Sequence, residues 1–298
     1  MTTTLEPRQH TIPKARLVAC YAAILGTFPY LTLKVSWLTG GTIGLLDPSF
    51  VDSPVLRGAN LLTGGMDAVA ILLAFALTYA WGRRIPAAVI LFPAWIASGL
   101  LAPIVLTSPV IAADLFAPSK AGLPLADWVW AVVYGGFAWQ GIALFTAFVL
   151  YARDRWSRLP GVSLRPGPLS AAGLAGVVVA IGTGSTHLAW AFGSTVALAP
   201  DRASTGLSAH FLDGVFGVAS LLTVVALLSA GRLWPRLVTV WIGAGMMVGW
   251  GGWLLVTSLG GGPIGAGGTG PQVAIYGAQV VGGALLMVEL FRRVPRQA

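Results

Sequence analysis

The sequence predicts an all-α integral membrane protein with eight transmembrane helices, arranged as two parallel four-helix repeats. Hydrophobic residues make up 56% of the 298 residues, charged residues supply only 9%, and the mean hydropathy is +0.81. A soluble domain carries roughly a quarter charged residues, so this composition indicates a chain solvated by lipid. Two further observations support the prediction: a nine-residue pattern occurs twice, and basic residues collect between alternate apolar segments.

Eight segments are long enough to cross a bilayer as helices. A hydrocarbon core of about 30 Å requires roughly 20 apolar residues in a helix that rises about 1.5 Å per residue. Continuous apolar runs exclude the alternating pattern of a transmembrane β-barrel. The predicted spans are 15–38, 58–81, 86–107, 127–151, 168–192, 208–230, 236–258 and 272–291.

Basic residues predict the orientation of these spans. Fourteen of them precede span one, lie in the loops after spans two, four and six, or follow span eight, whereas only Arg57, Lys120 and Arg202 lie on the other side. By the positive-inside rule, both termini are cytoplasmic. The net charge of +8 is then an orientation signal, so we expect the lipid bilayer as a partner and no nucleic acid. The abundance of Arg, Ala and Gly favours a bacterial source and hence the bacterial plasma (inner) membrane.

The repeated pattern predicts an internal duplication. Its copies, 153 positions apart, are Lys34-x-x-Trp37-x-x-Gly40-x-Thr42 and His187-x-x-Trp190-x-x-Gly193-x-Thr195. Each copy closes the first span of a four-span block, so the predicted repeats are residues 1–156 and 169–298, joined by a cytoplasmic linker at 157–168. Four spans per repeat give both repeats the same orientation, with a pseudo-twofold axis along the membrane normal. A Gly-Arg-x-x-Pro turn after spans two and six supports this equivalence.

The second copy of the pattern also suggests a family. His187-Leu-Ala-Trp190-Ala-Phe-Gly193 resembles the motif of a small bacterial membrane family of unknown function, which has four spans and an H-x-x-W-A-x-G-G-like motif at the end of the first. This chain resembles a tandem version of that family over its full length. It departs from the motif by having Lys34 in the first copy and Ser194 where a second glycine is usual. The resemblance implies the four-span unit and no activity.

Four ionisable residues are predicted to converge on the outer third of the bilayer. Counting from the inner ends of their spans places Lys34 and His187 near the external interface, Asp67 about 22 Å and Asp213 about 27 Å above the inner surface. An isolated charge at mid-bilayer costs about 2.5–3.5 kcal/mol, so Lys34 is the natural partner of Asp67. Two interpretations stay open for this pair: a structural ion pair, or a gated charge or substrate-carboxylate site.

Histidines supply a second candidate site. His187, His210 and Asp213 form a minimal ligand set for a divalent metal, which ranks ahead of bis-histidine haem as a cofactor; hydrogen-bonded structural histidines are the alternative. Cys20 is the sole cysteine, which excludes an intramolecular disulfide and a thiolate cluster.

Central glutamines occur in spans four and eight. Gln140 and Gln279 are predicted near the bilayer centre, either bonding neighbouring helices or lining a pore. Trp37 and Trp190 are predicted in the external aromatic belt.

These observations favour binding or transport of a small molecule or ion through an external-facing polar pocket between the two halves. The candidate ligand-binding residues share an intramembrane position and are Lys34, Asp67, His187, His210, Asp213, Gln140 and Gln279. One alternative is a membrane-embedded enzyme or redox accessory that uses His187, His210 and Asp213. The other is a non-catalytic assembly or partner-binding protein. Since no strong catalytic motif is present, the sequence leans away from an enzyme.

Overall fold

The computed structural model describes residues 12–115, 125–157, 164, 167–200, 206–229, 233–260 and 267–294. Within these residues it consists of eight long α-helices and two short 3₁₀ turns, Pro48–Asp52 and Ala80–Arg84. The helices are α1 (Lys14–Leu38), α2 (Pro54–Thr78), α3 (Ala87–Leu115), α4 (Asp127–Arg155), α5 (Ala171–Ala191), α6 (Leu207–Leu228), α7 (Leu233–Gly260) and α8 (Gly270–Arg293).

All eight helices are long and apolar enough to cross a membrane, which confirms the prediction of an all-α membrane protein with eight spans. Large apolar side chains such as Leu25, Phe92 and Val178 lie on the outside of the bundle, where a bilayer would solvate them. The chain is therefore a multi-pass membrane protein.

The largest difference from the predicted spans concerns α3. It continues two turns beyond the predicted end at residue 107, through Ser108 and Pro109, to Leu115. Ser-Pro usually marks a turn, but Pro109 lacks only one backbone donor, and neighbouring helices support such a helix in a membrane. The second difference is the start of α2 at Pro54, where a proline fits the first helical position.

Helices pack mainly within two groups of four. In the first group, α1 contacts α2 and α4, and α3 contacts α4; in the second, α5 contacts α6 and α8, and α7 contacts α6 and α8. Contacts of α3 with α7 and α6 join the two groups. Every helix therefore buries one face on its neighbours and leaves another for lipid.

The groups meet most closely where α3 crosses α7. A Cβ built on Gly99 would lie 1.9 Å from the Gly245 carbonyl oxygen, so the two backbones touch at this point. Indole groups bond across the crossing: Trp95 Nε1 donates to the Trp241 carbonyl at 3.0 Å, and Trp250 Nε1 donates to the Leu100 carbonyl at 2.8 Å. Trp250 thus bridges the two helix groups.

Charged side chains close the helix ends predicted to be cytoplasmic. Arg16 is buried on α1 and donates to Asp154 of α4 at 2.8 Å and to the Leu77 carbonyl of α2. Glu289 on α8 accepts from Arg292 at 2.9 Å and from Arg293 at 2.8 Å, so ion pairs also hold the end of this helix.

Some predicted features lie outside the described residues. These are the larger part of the 157–168 linker and seven of the basic residues that predict the orientation, namely Arg8, Lys120, Arg158, Arg165, Arg202, Arg232 and Arg296.

Candidate functional site

The repeated pattern ends two helices with the same backbone geometry. α1 stops at Leu38 and α5 at Ala191, and the pattern glycines Gly40 and Gly193 follow with φ of 87° and 91°. Only glycine adopts this left-handed conformation without steric cost, which explains its place in both copies. The amide of Gly41 donates to the Ser36 carbonyl at 2.7 Å, and the amide of Ser194 donates to the Ala189 carbonyl at 2.9 Å.

The pattern tryptophans hold the loops that follow. Trp37 Nε1 donates to the Ile43 carbonyl at 2.8 Å, and Trp190 Nε1 donates to the Val196 carbonyl at 2.9 Å. Trp37 is only 3% exposed and Trp190 only 1%. The prediction of an aromatic belt was wrong for these two residues, because each indole N–H is committed to a loop carbonyl inside the protein. Tryptophan and glycine are therefore scaffold, and the first position of the pattern is where the copies differ chemically.

In the first copy this position forms a buried ion pair. Lys34 Nζ on α1 lies 2.5 Å from Asp67 Oδ2 on α2, and the two side chains are 2% and 6% exposed. The ammonium also lies 3.7 Å from the ring centroid of Tyr30, one turn earlier on α1. The carboxylate and the aromatic face both lower the free energy of burying an ammonium group within a bilayer. The predicted partnership of Lys34 with Asp67 is confirmed.

In the second copy the corresponding residue is held from both sides. His187 Nδ1 lies 2.8 Å from Asp213 Oδ1 on α6, and Nε2 lies 2.8 Å from Gln279 Oε1 on α8. The His187 side chain is completely buried. The Trp190 ring packs edge-on against it at 4.9 Å between centroids. One imidazole thus joins three helices through two polar contacts.

The two aspartates differ in position along their helices yet serve corresponding residues. Counted back from the shared Gly-Arg turn, Asp67 lies three residues nearer that turn than Asp213. Three residues are about one helical turn. A lysine side chain is longer and more flexible than an imidazole, so it reaches a carboxylate that lies one turn further along the neighbouring helix.

The two glutamines are not structurally equivalent. Gln279 contacts His187, whereas Gln140 packs against Gly26 of α1, where an added Cβ would lie 3.2 Å from the Gln140 Cβ. Gly26 precedes Lys34 by eight residues, about 12 Å along the helix. The structure therefore brings Gln279 into the candidate site and leaves Gln140 in a helix contact well below Lys34.

His210 does not join the other candidate metal ligands. Its Nδ1 lies 3.0 Å from the carbonyl oxygen of Trp190. Among the described residues, no three His, Cys, Asp or Glu side chains are grouped so as to hold a metal ion. The arrangement of His187 and Asp213 is that of a hydrogen-bonded histidine, which was the alternative to the metal prediction.

Each cluster lies within a single helix group, and the two clusters lie in different groups. Lys34 and Asp67 belong to α1 and α2, while His187, Asp213 and Gln279 belong to α5, α6 and α8. The helices that join the groups are α3, α6 and α7. The described residues therefore form two separate sites, one inside each helix group. The sequence predicted one polar pocket between the two halves, and these residues do not lie there.

Sequence reasoning missed further buried polar groups. Asn60 and Thr107 are 3% and 0% exposed, and Asn60 Nδ2 and Thr107 Oγ1 have no hydrogen-bond partner among the described residues. Asn60 lies two turns from Asp67 on the same face of α2, so its spacing from the aspartate was the available signal. Thr107 carried no signal, because it fell at the predicted end of a span.

Comparison with models of known protein families, with curated proteins and with solved structures finds no match to this chain.

Proposed function

We propose that the protein binds a small polar solute or ion and moves it across the bacterial plasma membrane. In this proposal two parallel four-helix repeats, with both termini cytoplasmic, form the transport scaffold. The identical backbone hydrogen bonds after α1 and α5 support the duplication. We also propose that the chain is a tandem version of the four-span bacterial family that its second motif resembles.

One observation carries the proposal: ionisable side chains are buried inside two separate groups of membrane-spanning helices. Lys34 with Asp67 and His187 with Asp213 are each less than a tenth exposed. Ionisable residues within membrane spans are costly, and they typically mark substrate paths, ion paths or proton relays. Replacing a buried ion pair by apolar residues of similar volume is often neutral or stabilising, so helix packing alone does not require these charges.

The alternatives make different demands on the same residues. A metalloenzyme requires a set of metal ligands, and the described residues form no group of three His, Cys, Asp or Glu side chains. An assembly protein requires only its helix contacts and surfaces, so it tolerates replacement of the buried charges by apolar residues of similar volume. Function after such replacement therefore distinguishes transport from assembly.

The test is uptake into proteoliposomes that contain the full-length chain. The probes are radiolabelled lactate, alanine, glucose and sodium, each compared with protein-free liposomes. We expect protein-dependent uptake of at least one probe, and a loss of at least about tenfold in Asp67→Ala and His187→Ala, since each removes a buried polar contact. Asp52→Ala is the matched control, because this aspartate is 83% exposed and its nearest basic group lies 3.9 Å away.

A second variant guards against simple misfolding. Lys34→Met/Asp67→Leu removes both charges together and leaves no unpaired group, so the protein should insert and fold. We expect it to lose uptake as well. Uptake equal to wild type in this double variant, or no uptake of any probe by the wild-type protein, would overturn the proposal.

A further inference from the structure

The surroundings of His187 suit two protonation states. A neutral imidazole has one N–H donor and one acceptor nitrogen, whereas an imidazolium has two donors. Both His187 nitrogens lie 2.8 Å from a side-chain oxygen, one of Asp213 and one of Gln279. The imidazolium therefore donates to both partners, and its charge is neutralised by the Asp213 carboxylate.

The neutral state is satisfied by the same residues. Nδ1–H continues to donate to Asp213, and the Nε2 lone pair then needs a donor. A glutamine carries both an acceptor oxygen and an NH₂ donor at the end of one side chain, and a half-turn of its amide exchanges the two. Rotation of the Gln279 amide thus supplies the missing N–H, so both nitrogens of His187 have a partner in either state. This removes the desolvation cost that an unsatisfied His187 nitrogen would add to one state.

Asp213 is the charged group that faces His187. On α6, His210 is engaged with the Trp190 carbonyl. On α8, the Tyr276 hydroxyl accepts from Gln272, and its ring packs against His187 at 6.3 Å between centroids. Glu289 lies ten residues beyond Gln279, about 15 Å along α8, and is paired with two arginines.

The first helix group lacks this two-state arrangement. Lys34 replaces the histidine, and its ammonium lies beside Asp67 at 2.5 Å. The glutamine of α4 lies against Gly26 rather than beside Lys34. The two copies therefore combine the same carboxylate partner with an ammonium group in one case and an imidazole in the other.

We propose that His187 is a proton-binding site whose release of the proton is coupled to rotation of the Gln279 amide. On release, the Nε2–H bond breaks, the proton passes to water or to the transported solute, and the electron pair stays on Nε2. The rotated amide then donates to that lone pair, while Asp213 remains a carboxylate that accepts Nδ1–H. This site deepens the proposed function, on which its role rests, by naming the proton as the coupling ion.

The test is ¹⁵N NMR of the full-length chain, labelled on histidine and placed in lipid nanodiscs. The chain contains only three histidines, so His187→Gln assigns the His187 signals by their loss. In wild type we expect His187 to change from the doubly protonated form to the Nδ1–H tautomer as the pH rises. A carboxylate only accepts hydrogen bonds, so Gln279→Glu should hold the doubly protonated form to a pH at least about one unit higher.

The matched control is Gln140→Glu, which makes the same change in the glutamine that does not contact His187; we expect it to leave the His187 titration unchanged. A His187 that keeps one protonation state at every pH would overturn the proposal. So would a Gln279→Glu titration that coincides with that of Gln140→Glu. The NMR readout is independent of solute uptake: a titrating His187 in a protein that transports no probe removes the proposed function and leaves the proton site in place.

Discussion

Lysine and histidine occupy the same position of the repeated pattern, and each holds an aspartate of the next helix inside its own helix group. Lys34 contacts Asp67 at 2.5 Å and His187 contacts Asp213 at 2.8 Å. The other shared residues, tryptophan and glycine, serve the helix end and the loop. Chemical divergence between the two halves is thus concentrated at one residue and its partners.

The buried ion pair predicts non-additive effects of mutation. Lys34→Met or Asp67→Leu alone leaves an uncompensated buried charge and should reduce the free energy of unfolding by about 3–5 kcal/mol. Lys34→Met/Asp67→Leu should lie within about 1–2 kcal/mol of wild type, because no charge is left without a partner. Denaturant unfolding of the purified protein in detergent measures this cycle. Additive losses in the double variant would contradict the ion pair.

The sequence predicted some of these contacts and missed others for a physical reason. Lys34 and Asp67 were predictable, because an intramembrane charge requires a partner and the neighbouring span offered one. The contact of Gln279 with His187 was not, since it depends on how far α8 is displaced along α5. Gln140 and Gln279 each lie 13 residues before an arginine, which suggested that they hold equivalent positions in the two halves. In the structure, however, Gln140 packs at Gly26, well below Lys34.

At the scale of helices, most boundaries follow from apolar length and from local turn chemistry. α1 and α5 end at the predicted pattern, since glycine two residues later adopts a left-handed conformation. The end of α3 was not predictable from local sequence, because the dipeptide Ser108-Pro109 is typical of a turn. Contacts with neighbouring helices, which the local sequence does not report, allow α3 to continue.

The pattern glycines predict a matched pair of substitutions. Gly40→Ala and Gly193→Ala should each lower the free energy of unfolding by about 1–2 kcal/mol, because a Cβ disfavours positive φ. No neighbouring atom lies within 4 Å of either added Cβ. The loss of stability therefore measures the backbone strain alone, without a steric clash. Thermal unfolding in detergent measures the effect.

Gly182→Ala is the control for this pair. Gly182 lies within helix α5, also with nothing within 4 Å of an added Cβ, so alanine there should raise stability by up to about 1 kcal/mol. Equal effects at Gly40, Gly193 and Gly182 would contradict the left-handed helix ends.

For the whole molecule, the sequence predicted the class and the number of spans, because hydrophobic length is a local property. How the two groups meet was not predictable. Their closest approach depends on Gly99 lying against Gly245, and glycines are abundant throughout the chain. Only the packing of α3 on α7 distinguishes these two from glycines that face open space.

Orientation in the membrane is testable with the single native cysteine removed. Starting from Cys20→Ala, we expect Ser49→Cys to react with a membrane-impermeant maleimide in intact cells, since it lies in the loop predicted to be external. Arg83→Cys, in the loop predicted to be cytoplasmic, should react only after the cells are opened. Both native side chains are solvent-exposed. The reverse labelling pattern would contradict the predicted orientation.

The two helix groups share the loop geometry that follows α1 and α5, and in our proposal only the second carries a cation that releases its proton, His187 in place of Lys34. Proteoliposome uptake by His187→Lys and Lys34→His, measured beside wild type, tests this difference. We predict that His187→Lys inserts and folds, because the longer lysine side chain still reaches Asp213, yet loses uptake since its proton is not released. Lys34→His should instead lose stability, because an imidazole is too short to reach Asp67, which lies one turn further along its helix. Wild-type uptake by His187→Lys would show that proton release at this position is not needed for transport.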